Sequence, residues 1–524
     1  MNRLFDFTAT LFYLCSFLSL AFVFCKHALQ MFQQNHYELY RYSKWLFNKK
    51  NLKFSLTIVY SLIVIVVGLL FPNSELPVLF ITIAFAIYFI YKESEKVYIK
   101  DLVLTARVKR QIIVLVVIFI AFLLCCRNLF PNYITGILTL IMSYLFIYPL
   151  SLLTMPIEYA IKKHYENDAK RILESNESLL KIGITGSYGK TSTKNILNDI
   201  ISDNRFTLIT PASYNTPMGI TRTIREMLKP IHEVFICEMG ADKVGDISYL
   251  MNFVKPKYGI VTSIGPQHLN TFHNIDNIIN EKMQEIEMLP PDGTGFVNLD
   301  NEYIASYHYL SRHKVVSVGI DNKNADLVAE NISYRKDGSS FSVNIDGTDH
   351  EFTTALLGKH NISNILIGIA VALEMNIPIE DIKRNVKHIS QIEHRLEVKK
   401  INGYTFIDDA FNSNPVGSKM AVDVLSLMSG KRIIVTPGMI DLGEKEDEIN
   451  EEFGSYMADK VDKVILVGEK QTKAILKGLK DKGFNEEDIH ICKNVREAFD
   501  YVYANFSRDD TILLENDLPD AFNV

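Results

Sequence analysis

Ile184-Thr185-Gly186-Ser187-Tyr188-Gly189-Lys190-Thr191-Ser192-Thr193-Lys194 follows a short apolar run, Leu180 to Ile184, and leads into a helical pattern that begins near Thr191. A strand that feeds a tight turn, with a helix directly behind it, suits phosphate: backbone N–H groups face the anion, and the helix N-terminus adds partial positive charge. Gly186 and Gly189 let the backbone approach the phosphates. Lys190 reaches the terminal phosphates, and the Thr191 hydroxyl is placed to ligate Mg²⁺. The strict pattern wants glycine at position 184 and finds Ile, so this is a variant of the loop. The alternative, a glycine-lysine pair in an ordinary surface turn, does not explain the flanking strand and helix. The loop Gly186, Ser187, Gly189, Lys190, Thr191 and Ser192 is therefore expected to bind a nucleoside triphosphate.

Upstream of the loop the chain changes character. At 524 residues it is too long for one core and should divide into three or four domains. Its apolar excess is concentrated before residue 157. Apolar runs cover Phe5–Cys25, Phe54–Phe71, Leu76–Tyr91, Gln111–Cys126 and Tyr133–Ile157, each near the roughly 20 residues a helix needs to cross a bilayer. Phe5–Cys25 lacks the small-residue cleavage site of a signal peptide, and further runs follow it. Lys26, Arg41, Lys44, Lys49, Lys50 and Lys53 lie between the first two runs. Lys92, Lys96, Lys100, Arg107, Lys109 and Arg110 lie between the third and fourth, whereas the other two connections hold only Arg127. Positive-inside bias then predicts a multi-pass cell-membrane region of five spans, with the N-terminus outside and everything after Ile157 in the cytoplasm. Gln30 to Phe47, with Tyr37, Tyr40, Tyr42 and Trp45, reads either as an amphipathic stretch along the inner interface or as a polar loop.

The net charge of −6 gives no footprint for nucleic acid. The six cysteines, Cys15, Cys25, Cys125, Cys126, Cys237 and Cys492, form no C-x-x-C pair, which argues against a zinc site or a disulfide framework.

From Lys162 onward, short β-rich runs alternate with helical patterns, the signature of α/β domains built on parallel sheets. Strands are expected at Leu180–Ile184, Val234–Cys237, Gly259–Ser263 and Gly293–Val297. Antiparallel hairpins follow at Ile332–Tyr334, Phe341–Ile345 and Phe352–Leu356, turning at Lys336-Asp337-Gly338 and Asp346-Gly347. A second α/β unit has strands near Thr405–Asp408, Arg432–Thr436, Lys463–Val467, Asp488–Cys492 and Thr511–Glu515. The expected division is thus 1–157 membrane region, 158–357 ATP-binding domain and 358–524 C-terminal Rossmann-like domain.

Polar clusters sit at the ends of these strands, where ligands bind in open α/β sheets. Glu238, in Cys237-Glu238-Met239-Gly240-Ala241, is a candidate Mg²⁺ ligand, although acidic residues often end strands for solubility. Gly265-Pro266-Gln267-His268 would aim His268 from another strand end; a lone histidine is usually structural. Glu281-Lys282-Met283-Gln284-Glu285 reads plainly as a charged helix face with intrahelical pairs. Asn361 and Asn364, in Gly358-Lys359-His360-Asn361-Ile362-Ser363-Asn364, share a helix face and are placed to read a base. His394-Arg395-Leu396-Glu397, with Asp408-Asp409-Ala410-Phe411-Asn412-Ser413-Asn414-Pro415, offers an arginine for phosphate and carboxylates for ribose hydroxyls.

Taken in order over about residues 160–524, these motifs resemble the Mur ligase family of ATP-dependent amide ligases, most of all the branch that adds D-alanyl-D-alanine to a UDP-muramoyl tripeptide. The resemblance implies ATP at Lys190 and Thr191, with Asn361, Asn364, Arg395 and Asp409 contributing to its site. It implies Mg²⁺ ligation by Thr191, Glu238, His268 and Lys282, the last as a carbamate; the helix departs from the family pattern at Gln284. Lys190, Lys282, His268 and Arg395 would be the catalytic set. Asn215, in Asn215-Thr216-Pro217-Met218-Gly219-Ile220, and Asn412 would hold the acceptor. Thr436 to Glu444 resembles the loop that closes over it. The implied reaction passes through an acyl phosphate, from a nucleotide- or lipid-linked carboxylate to an amino-acid or dipeptide amine. The spans take the place of the family's UDP-binding domain, which makes a membrane-bound polyglutamate-type ligase the alternative within this chemistry. A transporter or sensor driven by a P-loop ATPase would leave the ligase motifs unexplained, and the spans carry no central charged residue to mark a path. A catalytically reduced partner subunit would not need Lys190, Glu238, His268, Lys282 and Arg395 together.

Overall fold

The computed structural model describes residues 2–47, 52–71, 76–94, 102–127, 129, 132–212, 214–267, 269–335, 338–392, 394–410, 415–440, 442 and 445–516. The chain divides into two compact units, Met1–His164 and Tyr165–Val524.

The first unit is helical. Its helices are Asn2–Gln34, Leu39–Leu46, Leu52–Leu70, Leu76–Ser94, Ala106–Arg127, Asn132–Leu145 and Ile147–Glu174, the last running on into the second unit. Phe24, Tyr42, Leu140, Tyr144 and Leu150 form part of its core. The outer faces are also apolar, exposing Leu62, Val66, Phe80, Ile113, Val117 and Leu124. Among the described residues, two helical runs are long and apolar enough to cross a membrane, Ala106–Cys126 and Ile137–Glu174. Leu56–Leu70 and Leu76–Tyr91 are apolar but shorter. By length and composition the five expected crossings therefore reduce to two among these residues. Leu39–Leu46 is helical and buries one face, with the Tyr42 ring fully buried and its hydroxyl donating to Tyr144 O at 2.9 Å, while Tyr40 and Phe47 stay exposed.

The second unit holds two sheets. The first has nine strands: β1 Leu180–Thr185, β2 Thr207–Ile209, β3 Val234–Glu238, β4 Tyr258–Val261, β5 Thr294–Asn298, β6 Lys314–Gly319, β7 Leu327–Arg335, β8 Gly338–Ile345 and β9 Thr348–Thr354. They lie in the order β2-β3-β1-β4-β5-β6-β7-β8-β9. All pairs are parallel except β7–β8 and β8–β9. Both faces are covered, so the parallel strands are apolar on both sides. On β3, Val234 and Ile236 join one core with Ile196 and Ile200 of helix Lys190–Ile201. Phe235 and Cys237 join the other, with Ile220 and Ile224 of helix Pro217–Met227 and Ile278 and Ile286 of helix Ile275–Glu287.

Helices Lys359–Glu374 and Ile379–Lys387 follow Gly358 yet pack in this first core through Ile362, Leu366, Ile369, Ile382 and Val386. A boundary is expected at residue 358, and the apolar side of the helix that follows it, Lys359–Glu374, is buried against β5, β6, β7 and the phosphate-loop helix.

The second sheet contains β10 Glu397–Ile401, β11 Tyr404–Asp409, β12 Arg432–Thr436, β13 Lys463–Val467, β14 Ile489–Cys492 and β15 Thr511–Glu515, in the order β10-β11-β15-β12-β13-β14. Only β10–β11 is antiparallel. Lys336 and Asp337 of the expected hairpin turn lie outside the described residues.

Candidate active site

The polar residues gather where β1 ends. β1 lies between β3 and β4, at the point where the strand order reverses and a crevice opens at the carboxyl ends. Ile184 is registered with Glu238, and Thr185 with Val261. This register places the phosphate loop between the last residue of β3 and the turn after β4.

The turn after β4 supports the loop directly. Ser187 N donates to Ser263 O at 2.7 Å, Tyr188 N to Ser263 Oγ at 3.1 Å, and Thr262 Oγ1 to Tyr188 O at 2.5 Å. Gly186 has φ 153° and Gly189 φ 83°, and a Cβ on Gly186 would stand 2.0 Å from Thr262 Oγ1. Both glycines are required by backbone conformation, as their motif positions predict. Gly189 then precedes helix Lys190–Ile201.

Two ammonium groups meet on one loop carbonyl. Lys190 Nζ donates to Gly186 O at 2.7 Å, and Lys282 Nζ donates to the same oxygen at 3.1 Å. Lys282 is 2% exposed. Burial, reinforced by the neighbouring Lys190 charge, lowers its pKa to about 7. Burial also lowers the pKa of Lys190, against the pull of Glu238.

Glu238 is the opposite pole. Its Oε2 accepts from Thr191 Oγ1 at 3.1 Å and from Lys194 Nζ at 3.0 Å, and its Oε1 accepts from Asn215 Nδ2 at 3.0 Å. Three of about four lone-pair directions are used, so one remains for a metal beside the Thr191 hydroxyl. These oxygen donors fit Mg²⁺. Lys194, buried and also donating to Ala212 O at 2.9 Å, was missed by sequence reasoning. One helical turn beyond Lys190, it has the pattern of a solvated surface lysine, and only its packing shows otherwise.

The helix expected to present a charged face buries that face instead. Glu281, Lys282 and Glu285 are all buried. Glu281 accepts from Gly245 N at 2.7 Å and Ile247 N at 2.6 Å, capping helix Asp246–Val254. Both oxygens of Glu285 lack a partner, and burial raises its pKa to about 8.

A cleft of about 450 Å³ runs from the loop to the second sheet's domain. Its lining includes Gly189, Ser192, His360, Asn364, Arg395 and Asp409. Burial lowers the Arg395 pKa, which Asp409 and Glu238 partly restore. Burial raises Asp409 to about 6, opposed by Arg395. Burial, with Arg395 nearby, lowers His360 to about 4, so the ring is neutral, and its Nδ1 has no partner.

The two asparagines separate in role. Asn364 lines the cleft and accepts from Thr193 Oγ1 at 3.1 Å. Asn361 instead turns its amide to Leu357 O at 2.8 Å and lies outside the lining, because the carbonyl just before the helix N-cap Gly358 accepts from it. Asp408 is likewise engaged, by His394 Nδ1 and Lys399 Nζ, both at 2.8 Å. His394, Glu397 and Asp408 have the spacing of a metal cluster, but Lys399 bonds both carboxylates and supplies the cation. His268 and Asn412, with Asp441, Gly443 and Glu444 of the expected closing loop, lie outside the described residues.

Comparison with known proteins agrees with this geometry. Residues 184–372 match the Mur ligase middle domain, and residues 394–515 match the Mur ligase glutamate ligase domain. The chain is 30% identical over 331 residues to the UDP-N-acetylmuramoyl-tripeptide–D-alanyl-D-alanine ligase of Buchnera aphidicola subsp. Baizongia pistaciae, covering 59% of this chain and 71% of the relative. It is 28% identical over 338 residues to the Bacillus subtilis (strain 168) protein of the same name, covering 64% and 72%. Among solved structures, it resembles MurF ligase from Thermotoga maritima in complex with ADP, with TM-score 0.61, 20% identity, and 68% and 80% of the two chains covered. It also resembles MurF from Acinetobacter baumannii, with TM-score 0.60, 24% identity, and 68% and 77% covered. At these identities the structural likeness speaks for the fold.

Proposed function

The chain belongs to the Mur ligase family and is an ATP-dependent, ADP-forming ligase, and from this we propose that it joins D-alanyl-D-alanine to the carboxylate of a muramoyl tripeptide in cell-wall synthesis. The relatives' names supply the substrates. In this reading the acceptor carboxylate attacks the γ-phosphate of ATP, ADP leaves, and an acyl phosphate forms. The amine then attacks the acyl carbon, and phosphate departs from the tetrahedral intermediate. Lys190 exchanges Gly186 O for the phosphate, and Arg395 faces the same cleft; both spread the charge of the transferring group. Lys282 reacts with CO₂ to become a carbamate. Thr191, Glu238 and the carbamate would hold Mg²⁺, which neutralises phosphate charge when bound.

One observation carries the reading: Lys190 and Lys282 converge on Gly186 O at the end of β1 while Thr191 and Glu238 pair beside them. Apolar helices precede the ligase domains, which favours an acceptor presented at the inner face of a membrane, with the ligase unit in the cytoplasm. The test is full-length protein in detergent with ATP, D-alanyl-D-alanine and either UDP-N-acetylmuramoyl tripeptide or its lipid-linked counterpart. ADP formation should require both other substrates, with the amide product seen by mass spectrometry. ATP hydrolysis indifferent to both, with no amide, would overturn the reading.

A further inference from the structure

A second hollow, of about 540 Å³, lies along helix Pro217–Met227 and is lined by Tyr165, Tyr214, Thr221, Arg222 and Arg225, among others. It shares no lining residue with the cleft that runs to Arg395 and Asp409.

Three features mark it as a built site. Thr221 is 1% exposed, and its hydroxyl has no partner, although Thr223 on the same helix donates to Gly219 O at 3.0 Å. A buried hydroxyl without a protein partner is costly, and a ligand that bonds it removes the cost. Next, both guanidinium groups are held from the Nε side. Arg222 Nε donates to Glu226 at 2.8 Å and its Nη1 to the Tyr214 hydroxyl at 3.1 Å. Arg225 Nε donates to Asp168 at 2.6 Å, with its Cζ 4.3 Å from the Tyr165 ring centre. Among the described residues, the hydrogen bond of Arg225 is made by its Nε, and its Nη groups keep the paired donors that suit phosphate oxygens. Exposed pairs such as Arg222–Glu226 contribute little and yield to a more highly charged anion. Finally, Tyr214 and Thr216 flank Asn215, whose amide holds Glu238. The hollow therefore begins one residue from the reaction centre's carboxylate.

We propose that this hollow binds the phosphate groups of the acceptor's carrier, a diphosphate ester that is nucleotide-linked or lipid-linked. The acceptor's peptide then passes Asn215 to bring its carboxylate to the γ-phosphate. This rests on the ligase reading above, which supplies an acceptor with a carrier.

The test is a binding measurement, independent of turnover. Full-length protein in micelles, saturated with a non-hydrolysable ATP analogue to fill the phosphate loop, is titrated calorimetrically. The probes are inorganic pyrophosphate, UDP-N-acetylmuramoyl tripeptide and polyprenyl-diphosphate muramoyl tripeptide. Wild type should bind pyrophosphate and at least one acceptor. R222Q/R225Q should lose tenfold or more for each ligand that binds, and T221V severalfold, with affinity for the ATP analogue unchanged as the check on folding. Preference for the nucleotide or for the lipid form identifies the carrier. Wild-type affinities in R222Q/R225Q, or no binding of any probe by wild type, would overturn the site. Absence of amide product in a turnover assay would count against the ligase reading alone.

Discussion

Lys190 and Lys282 donate to one carbonyl oxygen, and two like charges this close in a buried site cannot both persist cheaply. Lys282 is the one that yields, with a pKa of about 7. Only a neutral amine adds CO₂, losing a proton as it does so, and the proposed carbamate would exchange a positive charge for a negative one beside Lys190. Carbamate occupancy should therefore rise as pH rises through about 7 and fall below it. Carbon-13 NMR of protein equilibrated with labelled bicarbonate would show a carbamate signal at pH 8 that weakens by pH 6 and is missing in Lys282→Ala. An unmodified lysine at pH 8 in protein carrying ATP and Mg²⁺ would contradict this. Lys190 bonds only loop carbonyls, so Lys190→Ala should leave the melting temperature within a few degrees of wild type. Turnover should drop by roughly 10²–10³, the scale expected when a preorganised charge on the transition state is removed. Wild-type turnover in the folded variant would take Lys190 out of the mechanism.

At the scale of the element, helix Ile275–Glu287 acts as a brace. Within little more than one turn, Glu281 caps helix Asp246–Val254, Lys282 reaches the phosphate loop, and Glu285 lies against Gly183 of β1. Glu285 is the unusual member, a fully buried carboxyl without a partner. Its folded pKa of about 8 lies above the ordinary value of 4.5. The folded state therefore holds the proton longer than the unfolded chain, and its stability contribution, complete at low pH, is lost as pH rises from about 4.5 to 8. Glu285→Gln keeps the shape without the titration. Its stability relative to wild type should grow between pH 5 and 8, by roughly 2–4 kcal/mol at about 1.4 kcal/mol per pH unit. Urea midpoints at the two pH values would check this, and an equal gap at both would refute it.

At the scale of the molecule, the phosphate loop, Glu238, Lys282, Arg395 and both hollows belong to the unit from Tyr165 onward. A fragment beginning at residue 157 should therefore bind ATP with affinity within about threefold of the full chain. Ligation of a membrane-presented acceptor should fall tenfold or more, because membrane retention raises the acceptor's effective concentration. The comparison is steady-state kinetics of fragment and full chain with soluble and lipid-linked acceptor. Equal use of both acceptors by both proteins would reduce the helical unit to an anchor.

Local chemistry made much of this legible in advance. The glycines of the phosphate loop follow from backbone conformation, and β1, β3, β5 and the strands from β11 onward follow from short apolar runs with turn residues between them. These signals are contained in a few consecutive residues. What tertiary structure decided is burial and partnership, which depend on segments far apart in the chain. β2 and β10 are edge strands that gain definition only by pairing with β3 and β11. Lys194 looks solvated until β3 brings Glu238 to it, and Glu281, Lys282 and Glu285 look like a surface stripe until the helix is laid under β1 and β4. The Asn361 amide reads as free until the Leu357 carbonyl, just before its helix, claims it. The helix after Gly358 likewise packs on the first sheet, because the apolar side of Lys359–Glu374 needs a partner and finds it there.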